Sequence, residues 1–99
     1  MVIVVGVARV RPGCLGDVED AARRMAVATR SDPGCHLYRF AADLEDPETI
    51  VSVEMWADRA ALDSHLAHAH TTEFLAQVTS LVEGTPEMTF HDTLPVDLR

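Results

Sequence analysis

Apolar residues occupy both alternating faces of residues 2–10, VIVVGVARV, and this pattern predicts a first β-strand. The period then becomes helical in residues 17–30, where the apolar positions are Val18, Ala21, Ala22, Met25 and Ala28. Asp17 stands where the N-cap of this helix is expected. Pro33 and Gly34 cannot continue a helix, so the helix should end before them.

Three further segments have the composition of strands. HLYRFAAD and IVSVEMW predict strands over residues 36–43 and 50–56, joined by the hairpin loop LEDPET. PEMTFHDTL predicts a last strand over residues 86–94. Between the last two strands lies a helical segment that contains most of the histidines.

This segment is predicted to be a broken helix. Asp58 is placed to cap its first part, over residues 59–69. A break is expected near His70, and the second part should cover residues 71–84, with Gly84 at the C-cap. The whole chain therefore reads β-α-β-β-α-β.

That order is the ferredoxin-like, split β-α-β arrangement of the α+β class. It predicts a four-stranded antiparallel sheet with the helices on one face. The first and third strands should lie side by side at the centre, and they are the two most apolar strands of this chain. Pattern and topology therefore agree.

The second face of this sheet has no helix left to cover it. On the first strand Ile3, Val5 and Val7 alternate with Val2 and Val4, so neither face is suited to water. An uncovered apolar face marks an association surface, and a symmetric copy is the simplest cover. We expect a homodimer packed sheet to sheet.

Composition limits the partners. The chain has 99 residues, 47% hydrophobic and 24% charged, which suits a single globular domain spanning residues 1–99. A net charge of −8 disfavours nucleic acid, because a phosphate backbone needs a cationic face. A neutral organic ligand is compatible with this charge.

The apolar N-terminal segment is too short to span a bilayer and lacks the basic start of a signal peptide, so we expect a cytoplasmic protein that does not bind membranes. Cys14 and Cys35 flank the predicted first helix. About fourteen helical residues would separate them by roughly 20 Å, and a disulfide needs Cα atoms within about 7 Å. Two free thiols are expected.

Three stretches together resemble the antibiotic biosynthesis monooxygenase (ABM) domain family of dimeric α/β-barrel proteins. They are RPG after the first strand, DPGCHLYRF entering the second, and EMWADRAALDSHLAHAHTTEF from the third strand into the broken helix. The resemblance covers nearly the whole chain and implies a dimer with a cavity between sheet and helices. Some members oxidise phenolic polyketides or quinols with O2 and no metal or flavin, whereas others cleave haem or process a small signalling sugar.

Haem cleavage is the least favoured of these activities. The haem-cleaving relatives carry an asparagine on the first strand, where this chain has Gly6 and Ala8. The acidic balance also offers little for haem propionates. No cofactor is expected.

The histidines of HLAHAHTTEF are the first candidates for chemistry. His65 lies in the apolar stripe and His70 at the expected break, so both can point under the helices, whereas His68 should face solvent. Either inward histidine is a candidate proton acceptor, and the alternative is a structural hydrogen bond. Zinc is disfavoured because the spacing resembles no zinc motif, so no metal is expected.

Glu54 and Trp56 share one face of the third strand. A buried glutamate needs a partner, and a histidine from the overlying helix is the natural one. In the ABM family the position of Trp56 borders the cavity, so the resemblance implies ligand contact there; packing is the alternative. Possible further ligand contacts are Tyr38, Phe74 and Met25.

These observations favour a cofactor-independent monooxygenase. It would oxidise a small aromatic quinol or anthrone-like molecule with O2, with His70 or His65 as base, supported by Glu54. Two alternatives remain open, because they need the same cavity. One is an isomerase of a small carbonyl compound, and the other is a non-catalytic dimer that binds a hydrophobic ligand or serves as an accessory subunit in a biosynthetic pathway.

Overall fold

The computed structural model describes residues 1–94 and 96, and its element order matches the predicted one. The elements are β1 (Val2–Val10), α1 (Leu15–Thr29), β2 (Cys35–Ala42), β3 (Thr49–Trp56), α2 (Arg59–Ala67), α3 (Ala69–Val78), a 3₁₀ turn (Thr79–Leu81) and β4 (Val82–Asp92). The predicted broken helix is thus α2 followed by α3.

The four strands form one antiparallel sheet in the order β2-β3-β1-β4. The ferredoxin-like prediction is confirmed, with β1 and β3 at the centre. In the register of these two strands Val4 pairs with Glu54 and Gly6 with Ser52. On the neighbouring pair Tyr38 lies opposite Glu54. This register brings Glu54 between apolar and aromatic neighbours on the helix-covered face.

The caps agree with the prediction in one helix and differ in the other. Asp58 is extended and accepts the Ala61 N–H at 2.8 Å, as an N-cap should. Asp17 is not the N-cap of α1, because that helix already begins at Leu15 and its N-cap residue is Cys14. Asp17 instead lies in the first turn, where the positive end of the helix dipole favours a carboxylate.

The break between α2 and α3 falls at His68 rather than near His70. His68 is extended, with φ −68° and ψ 146°, and His70 lies in the first turn of α3. The buried Thr71 hydroxyl donates to the His65 carbonyl at 2.6 Å. This bond satisfies a carbonyl at the end of α2 and fixes how the two helices join.

Gly84 does not cap a helix. Helix α3 ends at Val78, and β4 begins at Val82 rather than at residue 86. Val82 already pairs with Val10, and the register then shifts, with Gly84 at φ +62° inside the strand. Pairing with β1 therefore replaces the predicted helix at residues 82–84, and glycine permits the irregularity.

The core lies between the helices and the face of the sheet that they cover. It consists of Val2, Val4, Met25, Ala26, Tyr38, Trp56 and Leu62. The opposite face of the two central strands carries Ile3, Val5, Val7, Val51, Val53 and Met55, all partly exposed. Cys14 and Cys35 are free thiols, as expected. No helix in the described part of the chain is long and apolar enough to cross a membrane.

Candidate functional site

His65 lies at the centre of a buried polar group. Its side chain is 2% exposed, and its Nδ1 lies 3.0 Å from Oδ2 of Asp32. On the other edge of the ring, Nε2 lies 3.9 Å from Oε1 of Glu54. The imidazole packs against the Trp56 ring, with centroids 4.5 Å apart. His65 therefore has a carboxyl group on each side and an aromatic wall behind it.

The charged form of His65 is disfavoured. Burial lowers the pKa of His65 below its ordinary value of 6.5, and the hydrogen bond and charge of Asp32 oppose this only in part. The imidazole is consequently neutral at neutral pH. A neutral imidazole keeps one nitrogen lone pair, which a general base requires.

Asp32 joins the histidines and was not identified from the sequence. Its side chain is 7% exposed, and Oδ2 also lies 2.9 Å from Nε2 of His70. Burial raises the pKa of Asp32, but hydrogen bonds from His65 and His70 and the charges of His70 and His68 bring it below its ordinary value. Asp32 follows α1 immediately before Pro33, so the sequence indicated only a turn at this position.

His68 and His70 complete this polar group at its outer edge. The rings stack with centroids 5.2 Å apart and an interplanar angle of 16°. The His68 side chain is 40% exposed, and its Nε2 lies 3.8 Å from Oδ1 of Asp32. His68 is thus half in solvent, as the pattern suggested, but it also contributes to the environment of the buried carboxylate.

Asp32, His65 and His70 place three possible ligand atoms within 4.8 Å of one another. Both imidazole nitrogens nearest Asp32 approach the same oxygen, at 3.0 and 2.9 Å, which are ordinary N–H···O distances. We interpret the group as a hydrogen-bond network, because these bonds account for its geometry.

Glu54 is held mainly by Trp56. The indole Nε1–H donates to Oε1 of Glu54 at 2.9 Å in a buried hydrogen bond. Burial raises the pKa of Glu54 above its ordinary value of 4.5, and the Trp56 bond opposes this. The expected histidine partner, His65, is near but lies beyond hydrogen-bond distance.

A cavity of about 150 Å³ adjoins this polar group, between the sheet and the helices. Its polar lining consists of Tyr38, Ser52, Glu54, His65 and Thr71. The apolar part of the lining includes Met25, Phe40, Leu66, Phe74, Leu75 and Met88. The cavity is therefore apolar overall, with a small number of polar groups in its lining, which is the usual form of a small-molecule site.

The structure brings most of the sequence-predicted site residues to this cavity. Met25, Tyr38, Glu54, His65 and Phe74 all line it. Tyr38 is buried, and burial raises the pKa of its hydroxyl.

Two residues take different positions. Trp56 is fully buried and lies behind His65, and His70 turns to Asp32, so neither belongs to the described lining. Both are connected to residues that line the cavity. Trp56 reaches Glu54 and His65, and His70 reaches His65 through Asp32.

Sequence reasoning missed Gly6, Ser52 and Thr71 of the lining. Gly6 needs to be small, because a Cβ there would lie 2.5 Å from Ser52 Oγ and 2.7 Å from Met88 Sδ. The glycine thus lets two neighbouring strands present their side chains at the cavity floor. A glycine inside a strand is a signal of close approach that could have been read from the sequence.

Residues 1–77 match a family model described as "Antibiotic biosynthesis monooxygenase". An uncharacterized protein of Synechocystis sp. is 28% identical over 87 residues, which are 88% of this chain and 59% of that protein. The chain thus spans less than two thirds of the length of this relative.

Solved structures agree closely in fold. A crystal structure described as an antibiotic biosynthesis monooxygenase has a TM-score of 0.89 and 29% identity, covering 96% of this chain and 100% of that chain. A Deinococcus radiodurans protein to which the same activity is provisionally attributed has a TM-score of 0.92 and 25% identity, covering 100% of this chain and 98% of that chain.

Proposed function

The chain belongs to the antibiotic biosynthesis monooxygenase family, and on that premise we propose that it oxidises a small aromatic quinol-like substrate with O2, using His65 as the base and no cofactor. The family and the related structures support a monooxygenase-like or oxidoreductase-like role. The more specific proposal of a quinol substrate and a histidine base rests on one observation, which is the position of a neutral, buried imidazole in the wall of an apolar cavity.

His65 is a better base than His70. His65 lines the cavity, so a substrate inside it can come within reach of the imidazole. The Nε2 atom of His70, in contrast, contacts the carboxylate of Asp32. Glu54 and Tyr38 line the same end of the cavity and supply polar atoms that orient a phenolic substrate.

The reaction begins with transfer of a phenolic proton from the substrate to His65. The resulting phenolate gives one electron to O2, which leaves a semiquinone-type radical and superoxide in the cavity. These combine at a ring carbon that carries hydrogen, and the proton returns from His65 to give a hydroperoxide. Loss of water converts that carbon to a carbonyl, so one quinol and one O2 give one hydroxyquinone and one water. The apolar lining excludes water from this sequence.

The size of the cavity favours a single aromatic ring over an anthrone. A dry apolar cavity of about 150 Å³ accommodates a benzene-sized ligand, and the cavity of this protein has about that volume. A three-ring anthrone would need the half-exposed Leu66, Leu75 and Met88 at the lining to move apart. Monocyclic quinols are therefore the preferred substrates.

The proposed active form is a homodimer. The partly exposed residues Ile3, Val5, Val7, Val51, Val53 and Met55 form a continuous apolar area across the two central strands. A second copy packed sheet to sheet would remove this area from water, and its symmetry would close the assembly. The cavity lies on the other side of the sheet, so dimerisation would support its floor.

The proposal is tested by oxygen consumption with a panel of monocyclic hydroquinones and anthrones. We expect protein-dependent oxygen uptake with the monocyclic compounds, and a fall of about 10²–10⁴-fold in His65→Gln, the range typical of a lost general base. His36→Ala is the matched control, because His36 is exposed on β2 and lies away from the cavity, and it should retain full activity.

Three results would contradict the proposal. The first is the absence of protein-dependent uptake across the whole panel, and the second is turnover that persists under nitrogen, which would indicate isomerisation. The third is a His65→Gln enzyme as active as His36→Ala, which would remove His65 from the role of base. Faster turnover of anthrones than of single-ring quinols would contradict the assignment of substrate size alone.

A further inference from the structure

We propose that Asp32 is a positioning residue, which holds His65 in the single tautomer that carries its proton on Nδ1 and leaves the lone pair of Nε2 for the substrate. The inference concerns the orientation of His65, the base in the proposed function, and which of its nitrogens carries the proton. It rests on the proposed function only in what it predicts for turnover. The tautomer itself is a property of the folded protein and can be measured without any substrate.

Asp32 can accept hydrogen bonds but cannot donate them. The pKa of this carboxyl lies below its ordinary value, so it is ionised at neutral pH and has no hydrogen to donate. The Nδ1 atom of His65 lies 3.0 Å from Oδ2 and must therefore be the donor. Because a neutral imidazole carries only one N–H, Nε2 is left without a proton.

Thr71 supports the same assignment independently. Its hydroxyl has one hydrogen, and the 2.6 Å contact to the His65 carbonyl uses it. The same oxygen lies 3.4 Å from Nδ1 of His65 and at this site can only accept. Both polar neighbours of Nδ1 are thus acceptors, which requires the proton on that nitrogen.

The surroundings of Nε2 leave it free to act. Oε1 of Glu54 lies 3.9 Å from Nε2 and already accepts the Trp56 indole N–H. Tyr38 faces the His65 ring from β2, with ring centroids 5.5 Å apart. Glu54 and Tyr38 line the cavity, whereas Asp32 does not, and on this ground we assign the unprotonated Nε2 edge of the ring to the substrate side.

The role of His70 follows from the same geometry. Its Nε2 lies 2.9 Å from the oxygen of Asp32 that His65 also contacts, and it reaches that oxygen from α3 rather than α2. A second N–H donor on this oxygen fixes the carboxylate and keeps it ionised. His68 lies at the other carboxylate oxygen, at 3.8 Å. These two histidines thus stabilise Asp32, and through it the orientation of His65.

The tautomer is measured by long-range 1H–15N correlation spectra of the 99-residue protein labelled with 15N-histidine, at pH 7.5. The His65 signals are assigned by their loss in His65→Gln. We expect a protonated, pyrrole-type signal for Nδ1 and an unprotonated, pyridine-type signal for Nε2. In Asp32→Asn the side-chain amide can donate to Nδ1, so these two signals should exchange types or become mixtures.

A kinetic readout separates positioning from a merely structural role. Asp32→Asn should lower kcat by at least about 100-fold with little change in KM, because the wrong tautomer binds substrate but cannot accept its proton. Asp32→Glu retains an ionised acceptor and should restore the wild-type tautomer and part of kcat. Asp32→Ala offers neither acceptor nor donor and is the comparison for loss of the side chain.

The wild-type spectrum alone can overturn the inference, even if the variants fail to fold. A proton on Nε2 of His65 in the wild type, or an unchanged tautomer in a folded Asp32→Asn protein, would contradict it. So would a His65 spectrum that changes when EDTA is added, since that would indicate a bound metal at Nδ1. If the tautomer is as described but no compound is oxidised, the positioning by Asp32 stands and the proposed oxidation is refuted.

Discussion

Replacement of Trp56 by phenylalanine tests the buried bond that holds Glu54 beside the cavity. The variant keeps an aromatic ring in the core but loses the Nε1–H that donates to Oε1 of Glu54 at 2.9 Å. Trp56 is fully buried and Glu54 nearly so, so water cannot easily replace the lost donor.

The expected loss of stability has two parts. A hydrogen bond to a charged group contributes about 1.5–3 kcal/mol. The smaller ring gives up on the order of 50 Å² of buried apolar area, or about 1 kcal/mol. The sum is about 2.5–4 kcal/mol, which is a large share of the roughly 5–15 kcal/mol typical of a folded domain but leaves most such proteins folded.

The loss should depend on pH. The Trp56 bond opposes the rise in the pKa of Glu54, so the bond is stronger when Glu54 is ionised. We expect urea denaturation to give a loss about 1 kcal/mol larger at pH 8 than at pH 4.5, where the bond involves a neutral carboxyl. Tyr38→Phe is the control, because it removes one polar atom from the same core and leaves the Trp56–Glu54 bond intact.

The hydroxyl pKa of Tyr38 is raised, so this control should show no pH dependence between pH 4.5 and 8. A loss of unfolding free energy in Trp56→Phe that is below about 1 kcal/mol, or identical at the two pH values, would refute the view that the indole holds an ionisable buried carboxyl. An m-value that differs from wild type would show that the variant has changed more than this contact.

Two further predictions concern Glu54 and the uncovered sheet face. Because the pKa of Glu54 is raised above its unfolded value of about 4.5, its stabilising contribution is present below that pH and is lost as the pH rises. In calorimetry, the difference in melting temperature between Glu54→Gln and wild type should therefore shift in favour of the variant as the pH rises from 4.5 to 8. A constant difference, or a shift in favour of wild type, would contradict this. Val53→Asp on the uncovered face should halve the mass measured by sedimentation, whereas Val27→Asp, on an exposed position of α1, should not. A wild-type protein that is monomeric at micromolar concentration would contradict the proposed dimer.

The locations of the helices and strands could be predicted because they depend on local periodicity. The alternation in residues 2–10 and the helical stripe around Met25 reflect backbone geometry, which repeats within a few residues. Asp58 capped the helix where it was expected, because capping involves only the next three residues. Gly84 does not cap a helix, because its conformation is decided by pairing with a strand more than seventy positions away.

The candidate site could likewise be predicted only in part. The sequence indicated Glu54 and His65 correctly as inward polar residues, because each interrupts an apolar face of its own element. It could not indicate Asp32, which lies in a turn and meets His65 and His70 only across separations of 33 and 38 residues.

The sequence by itself therefore determined the class of fold, the central strands and the inward direction of the main polar side chains. The tertiary structure decided which histidine lines the cavity, which one turns to Asp32, and that Trp56 lies behind the site. The physical reason is that an element's own geometry fixes the face on which a side chain lies, whereas the way the helices cross the sheet fixes what that side chain meets.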